Sequence, residues 1–344
     1  MAEEVLVEQQ ELYEHHRFRI DPGQSLLRID KYLFGRLENV SRTRIQSAAN
    51  AGNIIVNNNP VKPNYRVKPN DIIQVLLPNP PMEVELIPEN ISLNIVYEDD
   101  DVVVVNKEPG MVVHPAYGNF TGTLVNALMW HFKDLPLFRT GELRPGLVHR
   151  IDKNTSGILV IAKNEFALNR LSKQFYERST DRKYIALVWG VPDPDEGTIK
   201  GHVGRNIRDR KIMQVFPDGS RGKPAVTHYK VIEDLGYISL VECKLETGRT
   251  HQIRVHFSYI KHPVFNDEEY GGDKILKGTT FTKYQQFVRN CFKILPRQAL
   301  HAKSLAFSHP VSGKRLFFDS ALPEDMQQVI EKWRNYISSR DSDQ

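Results

Sequence analysis

The stretch His149-Arg150-Ile151-Asp152-Lys153 sets one carboxylate between two cations, ahead of a polar turn, Asn154-Thr155-Ser156-Gly157, and a β-branched run. A second basic stretch, Leu245 to Phe257, makes a turn at Thr247-Gly248-Arg249-Thr250 and then runs on. Read as a strand, it places Gln252, Arg254 and His256 on one face and Ile253 and Val255 on the other. An arginine in an apolar setting is costly unless it is paired. A buried carboxylate likewise needs a cation to stay ionised. Asp152 and Arg254 are therefore expected to pair along a cleft. The alternative is an exposed salt bridge worth under about 1 kcal/mol.

Other chemistries lack their signatures. The chain has no GxxxxGK[ST] and no GxGxxG phosphate cradle. Glycosidases use two carboxylates, and nothing places Glu246, the one strand acid in view, beside Asp152. Ser156 lacks a GxSxG elbow and reads as a turn former. Twelve histidines invite a metal reading, but without CxxC, HExxH or a carboxylate cluster no metal site is expected. Two cysteines, Cys243 and Cys291, lie in separate segments and fit a reduced, cytoplasmic setting. No window approaches the 18 or so apolar residues of a membrane span, and the N-terminus has no secretory pattern.

The elements that must carry these residues fall into two groups. Residues 17–70 hold ten Lys or Arg against three Asp or Glu, and 199–223 hold seven against two, so clustered cations point to a polyanion partner. Residues 1–16 are an acidic extension. Residues 17–77 read as a small helix-hairpin unit: a helix around Leu26, Ile29, Leu33 and Leu37, a second helix after an N-cap at Ser41 that ends at Gly52, and strands at 54–61 and 71–77. Arg42, Arg44, Lys62, Arg66 and Lys68 would form one exposed basic face. A Pro-rich linker occupies 78–91, and 338–344 read as a disordered tail. Between them, 92–337 read as α+β around a central mixed or antiparallel sheet. Strands are expected at 102–110, 157–163, 183–190, 238–247 and 251–257, and helices near 122–132, 164–178 and 324–337. The segment 273–296 shows no assignable pattern.

The small unit resembles the α-L RNA-binding domain of a ribosomal small-subunit protein and of tyrosyl-tRNA synthetases. The larger part carries H-R-I-D-x-x-T-S-G, R-K-Y-I-A-L-V, G-K-P-A-V-T-H-Y and E-T-G-R-T-H-Q-I-R-V-H in that order. These resemble the successive motifs of the RluA-type pseudouridine synthases, and the likeness runs from residue 96 to residue 313. It implies the pseudouridine synthase fold and the isomerisation of uridine in RNA. The base leaves the ribose, turns and rejoins through its carbon 5, so no water and no second carboxylate are required. By the same resemblance Asp152 is the catalytic aspartate, as nucleophile or as the base that forms a glycal. Arg254 pairs with it, and Tyr184 stacks on the uracil. Ile253 packs against the ring, and Arg150 fills the gap left by the extruded base. His149 and Arg249 join them at the substrate. Asn106, Lys107, His114, Pro115 and Asn126 fall to cleft architecture. Arg205, Arg208, Arg210 and Lys211 read as an RNA-gripping loop. The expected substrate is large-subunit ribosomal RNA, with no cofactor, no obligate protein partner and a monomeric chain. A non-catalytic RNA-binding assembly factor and a nucleoside hydrolase are the alternatives.

Overall fold

The computed structural model describes residues 12–22, 26–37, 40, 42–77, 86–115, 118–138, 145–209 and 211–342. The expectations for Ser41, Arg210 and most of the linker and the acidic extension lie outside them. The chain divides into two compact units, Met1–Glu83 and Val84–Gln344.

The first unit comprises β1 (Tyr13–Arg19), β2 (Leu27–Arg28), α1 (Ile29–Arg36), α2 (Arg42–Asn50), β3 (Ile54–Val56), β4 (Asn59–Pro60), β5 (Arg66–Val67) and β6 (Ile72–Leu77). Four strands pair in the order β1-β6-β3-β4, so part of the stretch read as an acidic extension is an edge strand. Asn57 and Asn58 join β3 to β4 with φ of 48° and 67°. Two such residues make the tight hairpin whose twist suits its strands. Ile29, Leu33, Ile45, Ile54, Val67 and Ile73 fill the core, while Leu26 is exposed. Asp30 is fully buried and accepts from Arg28, Arg42 and Gln46 at 2.7–3.1 Å. Burial alone would raise its carboxyl, but the donors Gln46, Arg28 and Arg42 outweigh this and hold it well below the usual range. Arg42 is thus committed to Asp30 and is only half exposed, whereas Arg44, Lys62, Arg66 and Lys68 are exposed.

The second unit adds β7 (Ile95–Glu98), β8 (Val102–Lys107), α3 (Leu124–His131), β9 (Ser156–Ala162), α4 (Glu165–Glu177), β10 (Asp181–Trp189), β11 (Glu196–Arg205), β12 (Met213–Phe216), β13 (Lys223–Asp234), β14 (Ile238–Leu245), α5 (Gln252–Tyr259), α6 (Thr282–Ile294), β15 (Leu300–Ser308), β16 (Arg315–Asp319) and α7 (Glu324–Ser342). Among the described residues, the strands form one ten-stranded sheet, β12-β11-β13-β14-β10-β15-β9-β8-β7, with β16 beside β15. The β15–β9 pair is parallel and the rest are antiparallel. Val102, Val104, Ile158 and Val160 face α4, while Val103, Val105, Leu159 and Ile161 face the larger core with α3, α6 and α7. Cover on both faces explains why β8 and β9 read as unbroken apolar runs.

Three expectations change. Residues 252–259 form helix α5, not a strand. Helix α7 runs on to Ser342 through most of the segment expected to be disordered. The unassigned segment contains α6, whose Tyr284, Val288 and Cys291 are buried and whose Phe287 ring meets Trp333 of α7 at 4.9 Å. Within 199–223 lies a hairpin, and Arg205, Arg208 and Lys211 are exposed where β11 passes to β12.

Asp30→Ala leaves two guanidiniums without their shared acceptor. Urea unfolding of the full chain followed by hydrogen exchange is expected to show the first unit weakened by about 2–4 kcal/mol. Burial also lowers His256 and His301 from 6.5 to about 4. These imidazoles stay neutral in the fold but take up a proton when the chain unfolds, so stability present above pH 6.5 is lost as pH falls towards 4. The loss reaches about 3 kcal/mol for each group. Melting temperature followed from pH 7 to pH 4 should decline, and less steeply for His301→Gln.

Candidate active site

Register sets the site. His301 at the start of β15 lies opposite Ser156 of β9 and opposite Ile185 of β10. The loop that ends at β9, with Asp152 on it, therefore meets the Tyr184 end of β10. Between Lys183 and Ile185 the pairing with β15 skips from Ser304 to His301, which leaves one residue extra on β15. A bulge of this kind re-aims the side chain opposite it, and Tyr184 sits there. The β14 strand ends at Leu245 beside the same hollow, and the turn after it leads into α5.

One amide fastens two residues of that turn and ties them to β13. The Gln252 Oε1 accepts from Thr247 Oγ1 at 2.7 Å and from the Arg249 N–H at 3.0 Å. Its Nε2 donates to the Val226 carbonyl at 3.0 Å. His251 then enters α5 with φ of 55°, a left-handed conformation that a non-glycine residue holds only when its surroundings enforce it. Its Nδ1 lies 2.9 Å from the Tyr270 hydroxyl and its Nε2 3.9 Å from Asp152.

Arg254 is buried on α5. Its Nη1 reaches Asp152 Oδ2 at 3.3 Å, so the expected pair is present. The sequence reading missed stronger partners. Nε and Nη2 donate to Asp267 at 2.7 and 2.8 Å, and Nη2 donates to Glu269 at 2.5 Å. Tyr270 stacks its ring 5.0 Å from the guanidinium carbon. Burial opposes the charge, yet Asp267 first, then Asp152 and Glu269, raise Arg254 far above its ordinary value. The helix, not a strand, makes this cluster possible: the following turn carries Asp267 and Glu269 back against α5.

The Asp152 loop is tied from behind. Buried Lys107 donates to the carbonyls of Glu108, Met111 and Lys153 at 2.6–3.0 Å. Burial, then the Arg297 charge, pushes Lys107 down to about 7. Arg297 donates to the Asn154 carbonyl at 3.0 Å while its other nitrogens grip Asp325 at 2.7 and 2.8 Å. Asp152 itself keeps a side chain 17% exposed, at the edge of a hollow of about 570 Å3 that includes its open mouth. Tyr184, Ile253, Arg150, Arg249 and Leu300 line that hollow with it. Burial raises the Tyr184 hydroxyl and keeps it neutral.

His149 has another job. Its Nε2 accepts from the Val160 N–H at 3.1 Å and its ring stacks on Phe175 at 4.5 Å. Burial, and then nearby Arg182, lower it to about 3. It backs the hollow from outside rather than lining it. Ser156 is buried in β9, where its hydroxyl meets His301 Nδ1 at 2.9 Å. Glu246 lies 2.6 Å from His228 Nε2, not with Asp152. Asn126 caps α3 with Thr123. Among the described residues Asp99, Asp101 and His309 lie close enough to share a cation, but His309 Nε2 already meets the Asp99 carboxylate at 2.9 Å. No helix of the described residues is long and apolar enough to cross a membrane.

The model of the RNA pseudouridylate synthase family matches residues 101–259, and that of the S4 domain matches 27–73. An uncharacterized RNA pseudouridine synthase of Chlorobaculum parvum is 49% identical over 93% of this chain and 98% of its own length. The ribosomal large subunit pseudouridine synthase D of Zymomonas mobilis is 42% identical over 88% of this chain and 93% of its own length. The solved structure of human RNA pseudouridylate synthase domain containing 4 superposes with a TM-score of 0.51 at 25% identity, over 70% of this chain and 93% of that one. With relatives of this kind along nearly its whole length, the chain belongs to the RluA-type RNA pseudouridine synthases, isomerases that turn uridine into pseudouridine, with an S4 domain in its N-terminal unit.

Proposed function

We propose that this chain isomerises uridines of large-subunit ribosomal RNA, with Asp152 as the reactive carboxylate. One observation carries the reading of the site: Asp152 is the carboxylate at the edge of the hollow, 3.3 Å from Arg254, with Tyr184 and Ile253 in the same wall. The reaction breaks the bond from C1′ to N1 and makes one from C1′ to C5. N1 ends protonated and C5 loses its proton, so no water, oxidant or reductant enters. A lone anion suffices, because its task is to act at the sugar while the base is detached. Asp152 does this as nucleophile or as the base that yields a glycal.

The other roles follow from placement. Arg254 holds positive charge 3.3 Å from that anion. Tyr184, neutral and buried, offers its ring to the uracil face, and Ile253 closes the other side. Arg150, exposed at the rim, takes the place of the extruded base. Arg44, Lys62, Arg66 and Lys68 of the S4 unit, and Arg205, Arg208 and Lys211 between β11 and β12, supply phosphate contacts, so affinity falls steeply with salt. The choice of large-subunit RNA leans on the printed name of the Zymomonas mobilis relative.

Asp152→Ala is expected to lower pseudouridine formation at least about a thousandfold while leaving RNA affinity within about twofold. Tritium release from a transcript labelled at uridine C5, beside a filter-binding titration, reads both, and persisting release would remove Asp152 from its role. Chemical mapping of pseudouridines in RNA from cells with and without the gene should show sites lost from large-subunit RNA. Loss only from transfer RNA would overturn the substrate assignment.

A further inference from the structure

One buried cation plays no part in the account above. Arg182 of β10 is only 8% exposed. Arg254 and Arg297, similarly buried, each hold carboxylates, whereas among the described residues no carboxylate pairs with Arg182. Among the described residues its Nε finds no hydrogen-bond partner, and its guanidinium carbon lies 5.5 Å from the centre of the Phe175 ring. A guanidinium left this way costs several kcal/mol unless an anion completes it.

Its position says where that anion would sit. Arg182 lines the Asp152 hollow, and it also lines a second hollow with Arg178, Phe175 and Tyr176. Arg150, Arg182, Gly248 and Arg249 form the wall common to both. The three arginines come from three separate segments. Gly248 leaves the guanidinium room, since a Cβ there would stand 2.9 Å from Arg182 Nη1. The one acid lining the second hollow, Glu246, pairs with His228 at 2.6 Å and Arg178 at 3.9 Å and not with Arg182. Beyond the wall Tyr176 is 88% exposed, an aromatic face open to a base.

We infer that this shared wall is a phosphodiester site, in which Arg182 is the buried anchor for one of the two phosphates flanking the target uridine. The uridine occupies the Asp152 hollow, and the neighbouring nucleotide lies over the second hollow with its base towards Tyr176. Arg150 and Arg249 flank the phosphate from the rim. The site rests on the synthase reading and gives it a direction: the RNA strand runs from the uridine across β10 towards the end of α4. Arg182 is here a positioning residue, holding the strand so that the sugar faces Asp152.

A synthetic RNA hairpin bearing the mapped uridine tests this, made once with normal linkages and twice with a single neutral methylphosphonate, on the 5′ or the 3′ side of that uridine. Wild-type protein should bind one neutral hairpin about tenfold more weakly than the normal one. Arg182→Gln should lose a similar factor on normal RNA, mainly in KM, and lose nothing further on the neutral hairpin. Arg182→Lys should recover part of the affinity and serves the same comparison if Arg182→Gln does not fold. A purely structural Arg182 predicts the opposite, two losses that multiply, and that result overturns the inference. Indifference of the wild type to both neutral linkages also overturns it, while conversion of the normal hairpin leaves the synthase reading intact. No conversion of any hairpin by the wild type would sink the synthase reading and this inference with it.

Discussion

A guanidinium buried on a short helix organises the catalytic half of this protein. Arg254 cannot be hydrated where it stands, so it must be neutralised and hydrogen-bonded by the chain itself. Asp267 supplies two close contacts, Glu269 a third and Asp152 a longer fourth. The order of these distances matters. Asp267 is fully buried and carries the structural share of the charge balance. Asp152 stays at the hollow with its second oxygen free of that duty. A carboxylate wholly consumed by its ion pair would have no oxygen left to face the hollow.

The same requirement shapes the surroundings. The loop bearing Asp152 closes a turn of its own, Thr155 N–H to the Asp152 carbonyl, and is held further by Lys107 and Arg297, which donate to its carbonyls. Outer support of this kind fixes where the Asp152 side chain stands. The sheet supplies the rest of the frame. Its one parallel pair brings the start of β9 level with the start of β15, and the bulge beside β10 turns Tyr184 towards the same spot.

Most of the cations described above fall into two kinds, and a count of charges does not separate them. Arg28 and Arg42 in the S4 unit converge on buried Asp30, Arg297 on Asp325 and Arg254 on its three acids. These hold the fold. Arg44, Lys62, Arg66 and Lys68 remain at the surface. Arg182 belongs to neither kind, being buried without an acid.

Much of the site was legible in the chain. The turn and apolar run after Asp152, the apolar run through Tyr184, and the demand of Arg254 for a counter-charge are local or electrostatic facts that residue types and spacing determine. Helices α3, α4 and most of α7 show in their periodicity and end signals, since a 3.6-residue repeat over two or more turns is a local property. Residues 252–259 mislead by the same logic. Gln-Ile-Arg-Val-His-Phe alternates like a strand, but all six residues are buried on every side, so alternation carries no face information. Only the tertiary structure decided that they coil, because the Gln252 amide must close the preceding turn and Arg254 must reach Asp267, thirteen residues on. The resemblance puts His149 at the substrate, while the fold turns its ring to the Val160 N–H. Neighbours in sequence share a segment, but partners for a buried charge are chosen by packing, which brings together groups no spacing rule connects.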